Sequence, residues 1–434
     1  MTATIAHLDA LEILDSRGNP TVQATVALSD GSLGSAAAPS GASTGRFEAH
    51  ELRDGDPARY RGLGVQRAVE HIRGEIARRL RGMDPADQEA LDRALIEVDG
   101  TPDKRRLGAN ALLAASLAAA HAAAAHARLP LHRHLARLAQ GPAPCMPLPM
   151  INLLSGGKHA GAQVDVQDFL IVPRGAETVA RALEMAHAVY HAAQDLLAER
   201  GGYQPLVADE GGLAPRLASN EEMLRLTLAA IERAGLRPMD DVAIALDVAA
   251  THFFREGRYR LAADGANLTA PEMIQHVEGW CRRYPILSVE DGLTEDDWEQ
   301  WPELTRRLGG RCQIVGDDLF VTHTERMGRG IRERAANSVL VKVNQVGTLS
   351  EALAALRMAR QAGWTAVVSA RSGETEDSWL ADLAVASGAG QIKVGSMARS
   401  ERLAKYNRLL AIAHAEPGLP FARDALDRFA AGGR

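Results

Sequence analysis

Six short apolar runs in the second half of this 434-residue chain each end on a side chain able to do chemistry. They are VAIALD ending at Asp247, PILSVE at Glu290, CQIVGD at Asp317, SVLVK at Lys342, AVVSAR at Arg371 and GQIK at Lys393. Three carboxylates brought together repel one another and raise each other's pKa unless a cation sits between them. Oxygen-only donors, with no histidine or cysteine in the set, favour a hard ion, and Mg²⁺ fits best. Lys342 and Lys393 would stand opposite this acidic wall. They either merely neutralise it, or one of them, desolvated beside a divalent cation, has a depressed pKa and acts as a base near neutral pH. Arg371 and Ser372 suit an anion, because a guanidinium forks onto phosphate oxygens and a hydroxyl adds a donor. Two further stretches carry polar groups where apolar ones would be cheaper. In VADEGGLAP, Asp209 and Glu210 precede two glycines, and in DVQDFLIVP, Gln167 and Asp168 interrupt a strand. Burying such groups costs a few kcal/mol unless each is hydrogen-bonded, so both stretches are site candidates.

Residues so far apart need a scaffold that gathers strand ends. The intervals between the six ends are 43, 27, 25, 29 and 22 residues, the length of a strand, a crossover helix and two short loops. That rhythm predicts a parallel βα barrel, in which the C-terminal strand ends line one pocket. Upstream the texture differs. Strands are expected over 5–14, 20–28 and 33–38, and helices over 65–80, 85–98 and 109–138, the last broken before Pro130. Strands first and helices after indicate an α+β unit. The expected fold is therefore α/β, a (β/α)8-type TIM barrel over residues 141–434 that carries the site, preceded by an α+β N-terminal domain over 1–140. Between the early strands and helices, the Gly- and Ser-rich segment 39–56 has the composition of a surface loop or of a mobile lid.

A formal net charge of −6 and the lack of a long basic run exclude a nucleic-acid footing. Cys145, Cys281 and Cys312 stand alone without CxxC spacing, which indicates neither a disulfide framework nor a thiolate zinc site. The N-terminal MTATIAHLDALEIL carries acids among its apolar residues and lacks a basic start, so it reads as a strand and not as a signal peptide, and a cytoplasmic location is expected. Ala109 to Ala127 is the nearest approach to a membrane span, but its alanines with Ser116, His121 and His126 suit a packed helix. GLGVQR, with Arg67 where a dinucleotide loop needs its third glycine, reads as a helix start.

The stretches LDSRGNPTVQ, PSGASTG, ELRDGD, LGANALLAASLA, SGGKHAGAQVDVQDFLIVP, DEGGLAP, IALDVAA, SVEDGLTEDDW, IVGDDLFVT, VKVNQVGTLSEA, SARSGETED and ARSERLAKYN run in order from residue 14 to residue 407. Together they resemble enolase, the phosphopyruvate hydratase of glycolysis, over nearly the whole chain. The resemblance implies a lyase that dehydrates 2-phosphoglycerate reversibly to phosphoenolpyruvate, on a barrel whose first units are atypical, one strand running opposite to the rest. It implies two Mg²⁺ per site, the first on Asp247, Glu290 and Asp317 and the second bound with help from the loop around Ser43. By the same resemblance Lys342 is the base and Glu210 the acid. Arg371 and Ser372 hold the phosphate, Lys393 contacts the substrate, and Gln167, Asp168 and His159 line the pocket. A homodimer or larger homo-oligomer is implied as well, in a family found mainly in the cytoplasm and sometimes at the cell surface or secreted.

The match breaks at two pocket positions. Enolases usually read S-H-R-S-G-E-T-E-D where this chain has Ala370 before Arg371, and Gln-Glu-Phe where it has Gln167-Asp168-Phe169. Lesser departures are Ala208 for a glycine, Thr251-His252 for Ser-Glu, Ser155 for an asparagine and Met397 for a proline. Three readings follow: an enolase that has drifted, an enolase-like carboxyphosphonoenolpyruvate synthase of phosphonate biosynthesis, or a non-catalytic binding protein on an enolase scaffold.

Overall fold

The computed structural model describes residues 3–42, 45–201 and 206–430. Strands β1 (Ile5–Leu14), β2 (Pro20–Leu28) and β3 (Leu33–Ala37) form an antiparallel meander. Alternation along them sends Leu8, Ala10, Val22, Ala24 and Val26 inward, against a layer of helices of which Ala109–His126 is the centre. That helix is buried on nearly every side, which its alanines permit by letting backbones approach closely. No helix among the described residues is long and apolar enough to cross a membrane. As the proline demands, the helix stops short of Pro130, and Leu131–Ala139 forms a separate one.

Eight strands close the barrel. After β4 (Leu148–Ser155), β5 (Asp168–Val172) and β6 (Ala243–Asp247) come five more, Ile286–Glu290, Gln313–Gly316, Ser338–Val341, Thr365–Ser369 and Gln391–Gly395, the last pairing with β4. All run parallel except β5, which is antiparallel to both neighbours. The reason is local: residues 156–167 between β4 and β5 hold only the helical turn Gly157–Ala160 and no crossover helix. The reversal has a consequence for the site. The first residue of β5, Asp168, lies beside Asp247, the last residue of β6, so both reach the same mouth of the barrel.

Below that mouth the interior is filled, not open. Leu148, Met150, Leu170, Val172, Leu287, Val315, Leu340 and Val367 form a buried layer that Leu426 and Phe429 cap from the C-terminal segment. The N-terminal unit leans on the mouth from the other side. Ser40 and Gly373 exchange main-chain hydrogen bonds of 2.8 Å each way, and Lys104 Nζ bonds Glu351 Oε1 at 2.8 Å.

Candidate active site

A small cavity of about 20 Å³ opens at the barrel mouth. His159, Gln167, Asp168 and Glu210 line one side, with Asp247, Lys342, Lys393, Ser369, Ala370, Arg371 and Ser372 around the rest. Strand ends supply most of these groups, as the sequence rhythm requires. Glu210 arrives by another route. Its loop turns back at Gly211, where φ is +84° and a Cβ would stand 2.4 Å from the carbonyl oxygen of Ala398, so only glycine fits there. Asp209 does not line the cavity. Ser43 lies outside the described residues.

The three expected cation ligands come to adjacent strand ends, and each meets a lysine or the amide of a glutamine. Lys393 Nζ donates to Asp247 Oδ2 at 2.9 Å and to Glu290 Oε2 at 2.7 Å. Lys342 Nζ donates to Asp317 Oδ2 at 2.5 Å, and Gln345 Nε2 reaches Asp317 Oδ1 at 2.9 Å. Gln167 Nε2 donates to Asp247 Oδ2 at 3.2 Å. Burial would raise Asp247, but Lys393 and then Lys342 outweigh it and bring its carboxyl down to about 2. Glu290 is pushed well above the carboxylate range by burial and by the charge of Asp247. Its Oε1 is buried without a hydrogen-bond partner among the described residues. An orphaned carboxylate oxygen, in an all-oxygen donor set where an ammonium already bridges two acids, is what a hard divalent cation would satisfy. The lysines depart from the sequence expectation. Burial alone would lower Lys342, yet the Asp317 carboxylate holds it above the ordinary ammonium range. A depressed base at this position therefore needs Asp317 to be engaged by a cation. Two tighter groups were not foreseen: His159, Asp168 and Glu210 in one, and Asp291, Asp317 and Asp318 in the other, each offer ligand atoms within 4.8 Å of one another.

Opposite the acids, Arg371 is fully framed. Its Nη1 donates to Glu48 Oε2 at 2.9 Å and to Asn344 Oδ1 at 2.8 Å, and its Nη2 to Glu48 Oε1 at 3.2 Å. Ser372 Oγ accepts from the main-chain N–H of Ala42 at 2.7 Å. Sequence reasoning missed Glu48, Asn344 and Gln345, although the first lies in the segment read as a lid and the other two in VKVNQ.

On the far side a histidine sits between two carboxylates. His159 Nδ1 is 3.3 Å from Asp168 Oδ2, and Nε2 is 3.9 Å from Glu210 Oε1. Burial opposes its protonation, but the charges of Asp168 and Glu210 prevail and raise it to about 9. Glu210 is the mirror case: burial would raise it, while His159, Arg402, Lys393 and Lys342 together lower it. The two departures Asp168 and Ser155 touch each other. Ser155 Oγ donates to Asp168 Oδ1 at 3.2 Å, and Asn152 Nδ2 donates to the same oxygen at 2.5 Å. Ala370 lines the cavity with a single methyl group.

Comparison with known families covers both parts of the chain. A family model described as "Enolase, N-terminal domain" matches residues 5–135, and one described as "Enolase, C-terminal TIM barrel domain" matches residues 143–417.

Proposed function

The chain belongs to the enolase family, and from that premise we propose that it is a hydro-lyase converting 2-phosphoglycerate to phosphoenolpyruvate and water in glycolysis and gluconeogenesis. One observation carries the reading: Lys342 and Glu210 line a single small cavity together with Arg371 and Ser372. A base, an acid and an anion clamp around one space are what the reaction requires. In this proposal residues 1–140 contribute the lid segment 39–56 and residues 141–434 the chemistry.

Enolases use metal, and the ion proposed here is Mg²⁺, two per site, with Asp247, Glu290 and Asp317 holding the first and Ser43 assisting the second. The ions would supply positive charge to stabilise the negative charge that develops on the substrate, and Lys342, once Asp317 is engaged elsewhere, would be available as the base. Arg371 and Ser372 grip the phosphate, and Lys393 and Gln167 orient the carbon chain. Lys342 Nζ removes the proton from the carbon bearing the phosphate. Glu210 is held ionised by the surrounding cations, so the proton for the departing hydroxyl is stored on the Glu210–His159 pair and leaves through the carboxyl group. Asp168 keeps His159 charged for that purpose. The test is a steady-state assay of phosphoenolpyruvate formation from 2-phosphoglycerate with Mg²⁺. Turnover supports the reading, and its absence in folded, metal-loaded protein overturns it.

A second reading is favoured by Ala370. The cavity wall carries a methyl group where an imidazole is usual, beside Asp168, a carboxylate one methylene shorter than its usual counterpart. The space and the lost proton donor suit an anionic acceptor in place of water, as in condensation with phosphonoformate.

A further inference from the structure

The stretch ARSERLAKYN, whose Arg402 has so far entered only through its charge on Glu210, places that arginine, with no exposed surface, directly behind the anion clamp. Arg402, on helix Ser400–Ala415, sends Nη1 to the main-chain oxygen of Arg371 at 2.6 Å and to that of Val394 at 3.4 Å. Its Nη2 reaches the main-chain oxygen of Ser372 at 2.5 Å. We infer that Arg402 is the positioning residue of the clamp, the group that holds the backbone of Arg371 and Ser372 so that their side chains meet an anion already aligned. This rests on the reading that the pocket takes a phosphorylated substrate.

One guanidinium grips the carbonyls of both clamp residues from the rear, and the side chains of both line the cavity in front. Such a fork is available to arginine and not to lysine, whose ammonium is a point charge. Burying a guanidinium is costly, and an apolar residue of similar volume would fill the space more cheaply. The carbonyls on Nη1 and Nη2 provide the compensation, joined by the charge of Glu401, whose Oε1 is 3.4 Å from Nε, although Nε itself has no hydrogen-bond partner among the described residues. Room for the stem is made by Gly395, where φ is +104° and a Cβ would stand 2.8 Å from Arg402 Cδ and 2.7 Å from the oxygen of Glu210. The same helix secures the clamp again one turn later. Lys405, buried, pairs with Glu374 Oε2 at 3.1 Å, and Glu374 Oε1 accepts the main-chain N–H of Arg371 at 3.0 Å. Positions 402 and 405 share a helix face, so one surface of the helix fixes the turn at two points. The charge of Arg402 also reaches Glu210, on the acid side.

The experiment uses full-length protein and two probes, inorganic phosphate by calorimetry and 2-phosphoglycerate in steady-state kinetics. The variants are Arg402→Met, Arg402→Lys and Arg371→Ala. Arg371→Ala should abolish saturable phosphate binding, which shows that the probe reads the clamp. Arg402→Met should weaken phosphate about 10- to 100-fold, the range expected for a clamp displaced by about 1 Å. It should raise KM far more than it lowers kcat, as loss of uniform binding does. Arg402→Lys should recover only part of the affinity. A folded Arg402→Met protein that binds phosphate as the wild type does, or that loses kcat with KM unchanged, overturns the inference. Should Arg402→Met fail to fold, wild-type affinity in Arg402→Lys overturns it, and weakened affinity supports it. A wild type that binds phosphate but does not turn over 2-phosphoglycerate sinks the proposed reaction and leaves the clamp inference standing.

Discussion

Glu48 and Arg371 form a two-armed ion pair, with Arg371 Nη1 2.9 Å and Nη2 3.2 Å from the two carboxylate oxygens, across 323 residues of sequence. The pair joins the N-terminal segment to the barrel mouth, and both side chains are almost entirely buried. Glu48 Oε1 also accepts from the main chain of Gly45 at 2.9 Å and from Gln345 Nε2 at 3.3 Å. Because Gln345 in turn bonds Asp317, one carboxylate links the segment 39–56, Arg371 and Asp317. Breaking a buried pair leaves an uncompensated charge, at a cost of about 3–5 kcal/mol. Glu48→Gln keeps the shape and removes the charge. It should lower the unfolding free energy from urea titration by an amount in that range and weaken phosphate binding, measured side by side on the same preparation.

Asp317→Ala should abolish turnover while leaving the far-UV spectrum and the cooperative unfolding transition intact, because the ligands sit above the packed layer of the barrel. Chelation of the wild type should do the same reversibly. Full activity in excess chelator would overturn the assignment of Asp247, Glu290 and Asp317.

Base and acid separate by isotope exchange. Glu210→Gln should still exchange the α-hydrogen of 2-phosphoglycerate with deuterated water while forming no product, and Lys342→Ala should lose both. Surviving exchange in Lys342→Ala would identify another group as the base.

His159 gives a pH signature. Its ring is raised to about 9 by Asp168 and Glu210 against the opposing effect of burial. The charge interaction therefore stabilises the fold fully below the unfolded histidine pKa of about 6.5 and is lost as the pH rises through about 9. A histidine ring resonance titrating near 9 in the wild type should move to lower pH in Asp168→Asn. A resonance that titrates near 6.5 in both proteins contradicts the arrangement.

Ala370 and Asp168 decide between hydration and condensation. If the protein is a hydratase, Ala370→His with Asp168→Glu should raise its rate on 2-phosphoglycerate, by up to the 10²- to 10⁴-fold that general acid assistance is typically worth. Coupling between the two changes is expected, since both positions face one cavity. If it is a condensing enzyme, the double variant should gain no hydratase activity and should lose any product formed with phosphonoformate. A double-mutant cycle with and without phosphonoformate measures both outcomes.

The sequence alone determined the barrel through the spacing of strand ends, because each strand and crossover helix is a local object with a nearly constant length. It also placed Asp247, Glu290, Asp317, Lys342, Arg371 and Lys393 at the C-terminal ends of barrel strands, where side chains share one mouth in any such barrel. Tertiary structure decided what local pattern does not encode. The antiparallel course of β5 turned Asp168 from the start of a strand into a neighbour of Asp247. Packing of helix Ser400–Ala415 put Arg402 behind Arg371 and Ser372, and docking of the N-terminal segment put Glu48 on Arg371. The direction in which Lys342 titrates also had to wait for the structure. Burial and the Asp317 carboxylate pull it in opposite directions, and only the 2.5 Å separation settles the balance.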